Sequence, residues 1–99
     1  MTDLRGLTDM DRVIHEPARL VLVTILYAVE NADFLYLLRE SGLTKGNLST
    51  HLARLEQVAY INVTKSFKGK IPQTTYQLTA KGTKAFENYR RQLRHVLEP

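Results

Sequence analysis

The chain has 99 residues, a net charge of +4 and 43% hydrophobic residues. This length and composition predict one globular domain with a limited core. The sequence contains no cysteine, which excludes disulfides, thiol catalysis and cysteine-ligated metals. No apolar stretch reaches the roughly 18 residues of a membrane span, and the start of the chain lacks the pattern of a secretory signal. We therefore expect a cytoplasmic protein without a membrane segment.

The charge is distributed unevenly along the chain. Residues 1–40 carry four arginines and seven acidic residues, whereas residues 41–99 carry ten lysines and arginines and only three glutamates. Such asymmetry is typical of a protein whose basic half binds a polyanion. Ordinary solvated lysines and arginines would give the same count, so charge alone leaves both interpretations open.

The N-terminal third is predicted to be helical and unusually apolar. Leu4, Leu7, Met10, Val13 and Ile14 recur every three or four residues, which predicts a loose arm followed by a short amphipathic helix near residues 9–14. Pro17 suits the first turn of the next helix. Residues 18–30 are apolar nearly all round, so we expect that helix to be buried on two sides, the second side against another subunit.

Two further helices are separated by a short turn. Asp33 is predicted to cap the first of them, which should end at Ser41 with Gly42 in the left-handed conformation. Thr44 is predicted to cap the second helix, which continues to Gln57. In this helix three leucines form a single stripe that should face the core: Leu48, Leu52 and Leu55.

The last forty residues predict a hairpin and a final helix. The period changes from 3.6 to 2 after Val58, residues 68–70 supply a turn, and residues 75–78 form the returning strand. Pro72 should lie on an edge or at the hairpin base because it cannot donate to a sheet. Phe67 is expected to pack at the hairpin base, with contact to DNA sugars as the alternative. Thr79 is predicted to cap the last helix.

The order helix, helix, glycine-containing turn, helix and basic hairpin is typical of DNA-binding proteins with a helix-turn-helix. The side of the third helix opposite its leucine stripe is polar or small, as a groove-reading surface requires. The hairpin tip has three lysines in six residues, which suits phosphate contact or entry into the minor groove. The candidate DNA-binding residues are Thr44, Lys45, Gly46, Asn47, Ser49, Thr50, Arg54, Lys65, Lys68 and Lys70.

Several short runs resemble the winged helix-turn-helix proteins of the MarR/ArsR-like superfamily, in particular its compact single-domain branch. They are Phe34–Arg39, Gly42-Leu43-Thr44, Gly46-Asn47-Leu48, His51-Leu52, Leu55-Glu56, Tyr60-Ile61, Pro72, Thr75-Tyr76 and Leu78-Thr79-Ala80-Lys81-Gly82. The resemblance covers roughly residues 13–95. It implies an α+β winged helix fold and a dimeric transcriptional repressor or activator, whose 44–57 helix reads DNA with support from the 65–70 wing. These proteins usually have glycine directly after the reading helix, where this chain has Ala59.

Enzymatic chemistry is not expected. The three histidines, at positions 15, 51 and 95, have no metal-site spacing, and His51 is predicted to be a packed or capping residue. No catalytic triad motif, P-loop or dinucleotide-binding glycine motif occurs. We therefore expect no cofactor and no metal bound within one chain, and the sequence leaves open a metal site formed across a dimer. The effector, if there is one, is left open by the sequence.

Three functions from different classes fit these features. The favoured one is a sequence-specific regulator that binds double-stranded DNA; the alternatives are a winged helix that docks proteins and a non-specific architectural DNA binder. We predict a single domain over residues 1–99, divided into an arm (1–16), a winged helix core (17–78) and a C-terminal dimerisation helix (79–99). We also predict a homodimer whose interface is formed by residues 4–30 and 83–97, which implies an inverted-repeat DNA site.

Overall fold

The computed structural model describes residues 4–98. A 3-10 turn over Leu4–Leu7 begins the N-terminal arm (residues 4–16). It is followed by α1 (Pro17–Val29), β1 (Asn31–Asp33), α2 (Phe34–Ser41), α3 (Lys45–Gln57), β2 (Ile61–Lys68), β3 (Ile71–Leu78) and α4 (Ala80–Leu97). This is the α+β winged helix fold that the sequence predicts.

The N-terminal arm does not form the helix predicted near residues 9–14. Residues 8–16 are turns and bends. The Asp11 carboxylate accepts hydrogen bonds from the backbone N–H groups of Val13 and Ile14, at 2.8 and 3.1 Å. A side chain that takes backbone donors in this way competes with helical hydrogen bonding. Met10 and Ile14 still face inward and belong to the core, so the arm finds its apolar partners inside the chain.

Helix α1 begins and ends at well-defined caps. Pro17 occupies the first turn, and the Glu16 carboxylate accepts the backbone N–H groups of Ala18 and Arg19 at 3.1 and 2.9 Å. The helix stops at Val29, where Glu30 has a φ of 69°. A positive φ reverses the chain direction and leads directly into β1.

The sheet has three antiparallel strands in the order β1-β3-β2. Strand β1 was not predicted, since three residues are too few to show an alternating pattern. It pairs with residues 75–77 of β3, with Ala32 opposite Tyr76. Strand β2 pairs with β3 along its whole length, from Ile61 opposite Leu78 to Lys68 opposite Ile71. Pro72 therefore lies where β3 has a partner on one side only, as expected for a residue without an N–H.

One hydrophobic core joins the arm, all four helices and the sheet. It includes Leu22, Leu26, Leu37, the three leucines of α3, Ile61, Phe86 and Tyr89. Phe86 and Tyr89 correct one prediction, because these α4 residues were expected to form a surface for a second subunit. Phe86 stacks near Tyr27 at 5.0 Å between ring centroids, and Tyr89 donates to or accepts from His15 Nδ1 at 2.8 Å. Most of the α4 stripe is thus used within the chain.

Candidate nucleic-acid interface

The turn between α2 and α3 is formed by Ser41, Gly42, Leu43 and Thr44. Gly42 has a φ of 70°, the left-handed conformation that glycine adopts at low cost. The Ser41 hydroxyl accepts the N–H of Leu43 at 3.2 Å, and the Thr44 hydroxyl accepts the N–H of Asn47 at 3.2 Å. These bonds fix the angle at which α3 leaves α2. The predicted turn and both of its caps are present.

Helix α3 has one buried face and one exposed face. Leu48, Leu52 and Leu55 are buried in the core. The residues proposed from the sequence to contact DNA are all exposed: Thr44, Lys45, Gly46, Asn47, Ser49, Thr50 and Arg54. The Thr50 hydroxyl donates to the Gly46 carbonyl at 2.9 Å, and Arg54 donates to the Gln57 side chain at 3.0 Å. The structure therefore leaves all of these residues accessible to a partner.

Gly46 has no role inside the chain that explains its lack of a side chain. A Cβ at this position would meet no atom within 4 Å. Glycine in a helix is less favourable than alanine by about 0.5–1 kcal/mol because its backbone loses more freedom on folding. The space in front of Gly46 is thus free for a surface that approaches the backbone of α3 closely.

The second basic element is the wing, which we define as β2, β3 and the turn between them. Gly69 has a φ of 66° in that turn. Lys65, Lys68 and Lys70 are all exposed. Phe67 is 73% exposed, so its predicted packing at the hairpin base is wrong. The reason is length: the strands run several residues past the point where the core ends.

The C-terminal end of α3 is held by the start of α4, a contact that the sequence analysis missed. Ala59 has a φ of 62°, so the alanine does adopt the left-handed conformation that glycine adopts more easily. Thr79 donates its hydroxyl to the Ala59 carbonyl at 2.6 Å and its N–H to the Tyr60 carbonyl at 3.0 Å. Lys81 Nζ donates to the Val58 carbonyl at 3.0 Å. These bonds offset the roughly 1 kcal/mol cost of a left-handed alanine.

The N-terminal arm also contacts this end of α3. The Tyr60 hydroxyl donates a short hydrogen bond to the Asp11 carboxylate. Burial, the hydrogen bond to Asp11 and the negative charge of Asp11 raise the pKa of Tyr60 to about 12. Asp11 thus satisfies two backbone donors of the arm and ties the arm to the residue that follows α3.

The middle of α3 is joined to α1 through His51, which is half-buried. Arg19 donates to His51 Nδ1 at 3.2 Å, and Glu16 lies 3.5 Å from the same nitrogen. The pKa of Glu16 is lowered, although burial by itself would raise it. The hydrogen bonds from the N–H groups of Arg19 and Ala18, together with the nearby charges of His51 and Arg19, outweigh the effect of burial. His51 is therefore a packed residue, as predicted, and it positions α3 from the side away from the exposed face.

Comparison with known proteins agrees with this architecture. The family described as "Winged helix DNA-binding domain" matches residues 18–97. The chain belongs to this family. It is 35% identical over 79 residues to an uncharacterized protein of Methanocaldococcus jannaschii, MJ0432, a match that covers 79% of this chain and 85% of that protein.

Solved structures show the same fold. A transcriptional regulator homologue from Pyrococcus horikoshii OT3 superposes with a TM-score of 0.88 and 23% identity, covering 96% of both chains. A MarR-family regulator from Enterococcus faecalis V583 gives a TM-score of 0.77 and 20% identity over 95% of this chain and 86% of that one. The putative transcriptional regulator ytfH from Salmonella typhimurium superposes with a TM-score of 0.71 and 18% identity, covering 94% of this chain and 86% of that one. The protein thus has the fold of MarR-family transcriptional regulators, which confirms the predicted resemblance.

The geometry of the described part of the chain bears on membrane spans and on metal clusters. Among residues 4–98, no helix is both long and apolar enough to cross a membrane. Within the same residues, no group of three or more histidine, aspartate or glutamate side chains is placed to hold a metal ion.

Proposed function

We propose that this chain is a transcriptional regulator that binds specific double-stranded DNA sequences as a homodimer. The observation that carries the proposal is the exposed face of α3. Its polar and small residues are exposed, and the leucines buried on the other side of the helix hold this face outward. A helix of 13 residues is about 20 Å long, and its width suits the major groove.

The proposed roles follow from side-chain chemistry. Asn47 has the donor and acceptor that read an adenine edge, and Arg54 has the paired donors that read a guanine edge. Ser49 and Thr50 supply shorter hydrogen-bonding groups, and Lys45 lies at the end of α3 where a phosphate would pass. Gly46 lets the backbone approach the duplex. In the wing, Lys65, Lys68 and Lys70 neutralise phosphates, which adds affinity without sequence information.

A binding assay separates the three candidate functions. Purified full-length chain is titrated into duplex selected from genomic fragments and into random duplex of equal length, at several salt concentrations. Preference for the selected duplex by about a thousand-fold or more supports the regulator. Equal affinity for both duplexes would replace it with an architectural role. Absence of binding to either at low salt would leave a protein-docking role for the fold.

The proposed homodimer rests on the apolar surface that α1 leaves uncovered. Val21 and Val29 are exposed on this helix, and they border a groove that α1 shares with Tyr36 and Glu40 of α2. Two-fold symmetry would place both α3 helices on one side of the dimer and predicts half-sites about 10 bp apart.

Sedimentation equilibrium tests the dimer at micromolar concentration. A deletion of residues 84–99 would remove most of α4, but it would also remove Phe86 and Tyr89 from the core and so could unfold the chain. A point substitution is therefore used. Val21→Glu should instead give a monomer, whereas Leu35→Glu, at a more exposed apolar position on α2, should not change the mass. A monomeric wild-type chain would contradict the dimer and the expectation of an inverted-repeat site.

A further inference from the structure

The wing carries an aromatic side chain that lies mostly in solvent. Phe67 is 73% exposed, although phenylalanine is among the residues most often buried. Side chains alternate between the two faces of a strand, so Phe67 shares a face with Ile61, Val63 and Lys65. Ile61 on that face is buried in the core, while Phe67 lies six residues further along, beyond the core's edge.

Three exposed lysines lie near Phe67 in the chain. Lys65 precedes it on the same face, Lys68 follows it as the last residue of β2, and Lys70 lies in the turn. Its cross-strand neighbour is Pro72, which is also exposed. An exposed apolar ring with lysines before and after it in the chain is suited to a partner with phosphates outside and apolar surface inside. A duplex offers this in its minor groove, where sugar walls and base edges lie between two rows of phosphates.

The dimensions restrict what can enter that groove. The minor groove of B-DNA is about 6 Å wide. A ribbon of two strands has backbones about 4.8 Å apart and side chains on both faces, so the ribbon itself does not fit. A single flat ring at its tip does. Apolar side chains that enter the minor groove partly unstack a base step, and flexible pyrimidine–purine steps yield most easily.

We propose that Phe67 enters the minor groove and wedges against a base step while the flanking lysines hold the phosphates on either side. This inference rests on the proposed DNA-binding function and adds to it a source of sequence preference. The lysines contribute equally at every sequence, whereas the wedge favours sites with a deformable step under the wing.

The test compares Phe67→Ala with a matched control in the same ribbon. Ile71 is 69% exposed and pairs with Lys68, which places it on the opposite face of the wing from Phe67. The full-length wild type, Phe67→Ala and Ile71→Ala are titrated into a duplex selected by the wild type. 2-Aminopurine is placed at successive steps under the wing, so that its fluorescence reports unstacking.

Loss of an aromatic ring from a base should weaken binding by about 5- to 100-fold. Phe67→Ala should show this loss, with the slope of log affinity against log salt unchanged because no charge is removed. Ile71→Ala should bind within about two-fold of the wild type. Fluorescence should rise at one step with wild type and Ile71→Ala, but not with Phe67→Ala. Both variants should keep the wild-type melting temperature, since both side chains are exposed.

Three results would overturn the wedge. The first is that Phe67→Ala binds within about two-fold of the wild type. The second is that Phe67→Ala lowers the slope of log affinity against log salt by about 1, which would mean that Phe67 only arranges a lysine. The third is that Ile71→Ala loses as much affinity as Phe67→Ala. In each case the wild type still binds DNA, so the proposed function stands. A wild type that binds no duplex would refute the proposed function, and the wedge with it.

Discussion

Gly82 lies directly against the backbone carbonyl group of Tyr60. A Cβ at position 82 would be 2.9 Å from the carbonyl carbon of Tyr60 and closer still to its oxygen. Because the obstacle is backbone, no side chain can rotate away to relieve the contact. The glycine in the run Leu-Thr-Ala-Lys-Gly therefore allows α4 to reach the segment that follows α3, where Thr79 and Lys81 bind the carbonyls of Ala59 and Val58.

Gly82→Ala should destabilise the fold by about 1–3 kcal/mol, since the added methyl group forces α4 away from Tyr60. Urea unfolding followed by circular dichroism measures the change. Ala85→Gly, at a half-buried position one turn later in α4, is the control for a simple change of helix propensity and should cost about 1 kcal/mol. A Gly82→Ala variant as stable as wild type would contradict the close contact.

Gly46→Ala should change stability and DNA binding in opposite directions. The fold should gain about 0.5–1 kcal/mol, because the helix gains a better helix former and the methyl group meets no atom of the chain. Affinity for DNA should fall, since that methyl group occupies the space the duplex needs. Thermal melting and a binding titration on the same preparation measure both effects. A rise in stability without loss of affinity would remove Gly46 from the interface.

Arg54→Ala should weaken binding to the specific duplex by about 1–3 kcal/mol while affecting random duplex less. The guanidinium lies on the exposed face of α3, where its bond to Gln57 keeps it extended along the helix. Arg91→Ala is a matched control, as Arg91 is exposed on α4 and likewise bonds a side chain three residues away, Asn88. Equal losses for the two variants would indicate general electrostatics rather than base contact.

Replacing Lys65, Lys68 and Lys70 with glutamine should weaken binding to all sequences to a similar extent. Each phosphate contact that is lost should reduce the slope of log affinity against log salt by about 1. The fold should be unaffected because all three side chains are exposed. Lys84, exposed on α4, provides the control substitution. A triple variant with the wild-type salt slope would show that the wing does not touch the DNA backbone.

Tyr60 should make stability depend on alkaline pH. Its pKa is raised to about 12 from an ordinary value of 10, so the bond to Asp11 stabilises the fold fully below pH 10 and is lost as the pH rises through 12. Tyr60→Phe should cost about 1.5–3 kcal/mol at pH 8, the range for a hydrogen bond to a charged group. The difference in unfolding free energy between Tyr60→Phe and the wild type, measured by chemical unfolding, should shrink between pH 10 and 12. A difference that stays constant over this range would show that ionisation of the Tyr60 hydroxyl does not affect stability.

The elements of the helix-turn-helix are predictable from sequence because their signals are local. Asp33, Thr44 and Thr79 each accept a backbone N–H only three residues ahead, and Gly42 needs nothing but its own conformational freedom. The exposed face of α3 follows in the same way from the spacing of three leucines. These features involve neighbours in the chain, so composition and period reveal them.

Contacts between distant segments are not predictable in this way. The bond between Asp11 and Tyr60 spans 49 residues, and nothing near either residue indicates the other. The same is true of β1, which is a strand only because β3 lies beside it, and of Phe86, which faces α1 rather than a second subunit. The packing of Phe67 was predicted wrongly for a related reason. Alternation places this residue on the core side of the sheet but does not show where the core ends.

The wing's distance from the core has a consequence for the energetics of binding. From Thr64 to Lys68 every residue of β2 is exposed, and each of them pairs with a residue of the opposing strand. Isolated two-stranded ribbons are marginally stable in water, so this part of the wing should open locally at a small fraction of the global unfolding free energy. Binding then has to restore conformational order that the free protein repeatedly loses. A wing that is stiffened without gaining any new contact would therefore hold DNA more tightly.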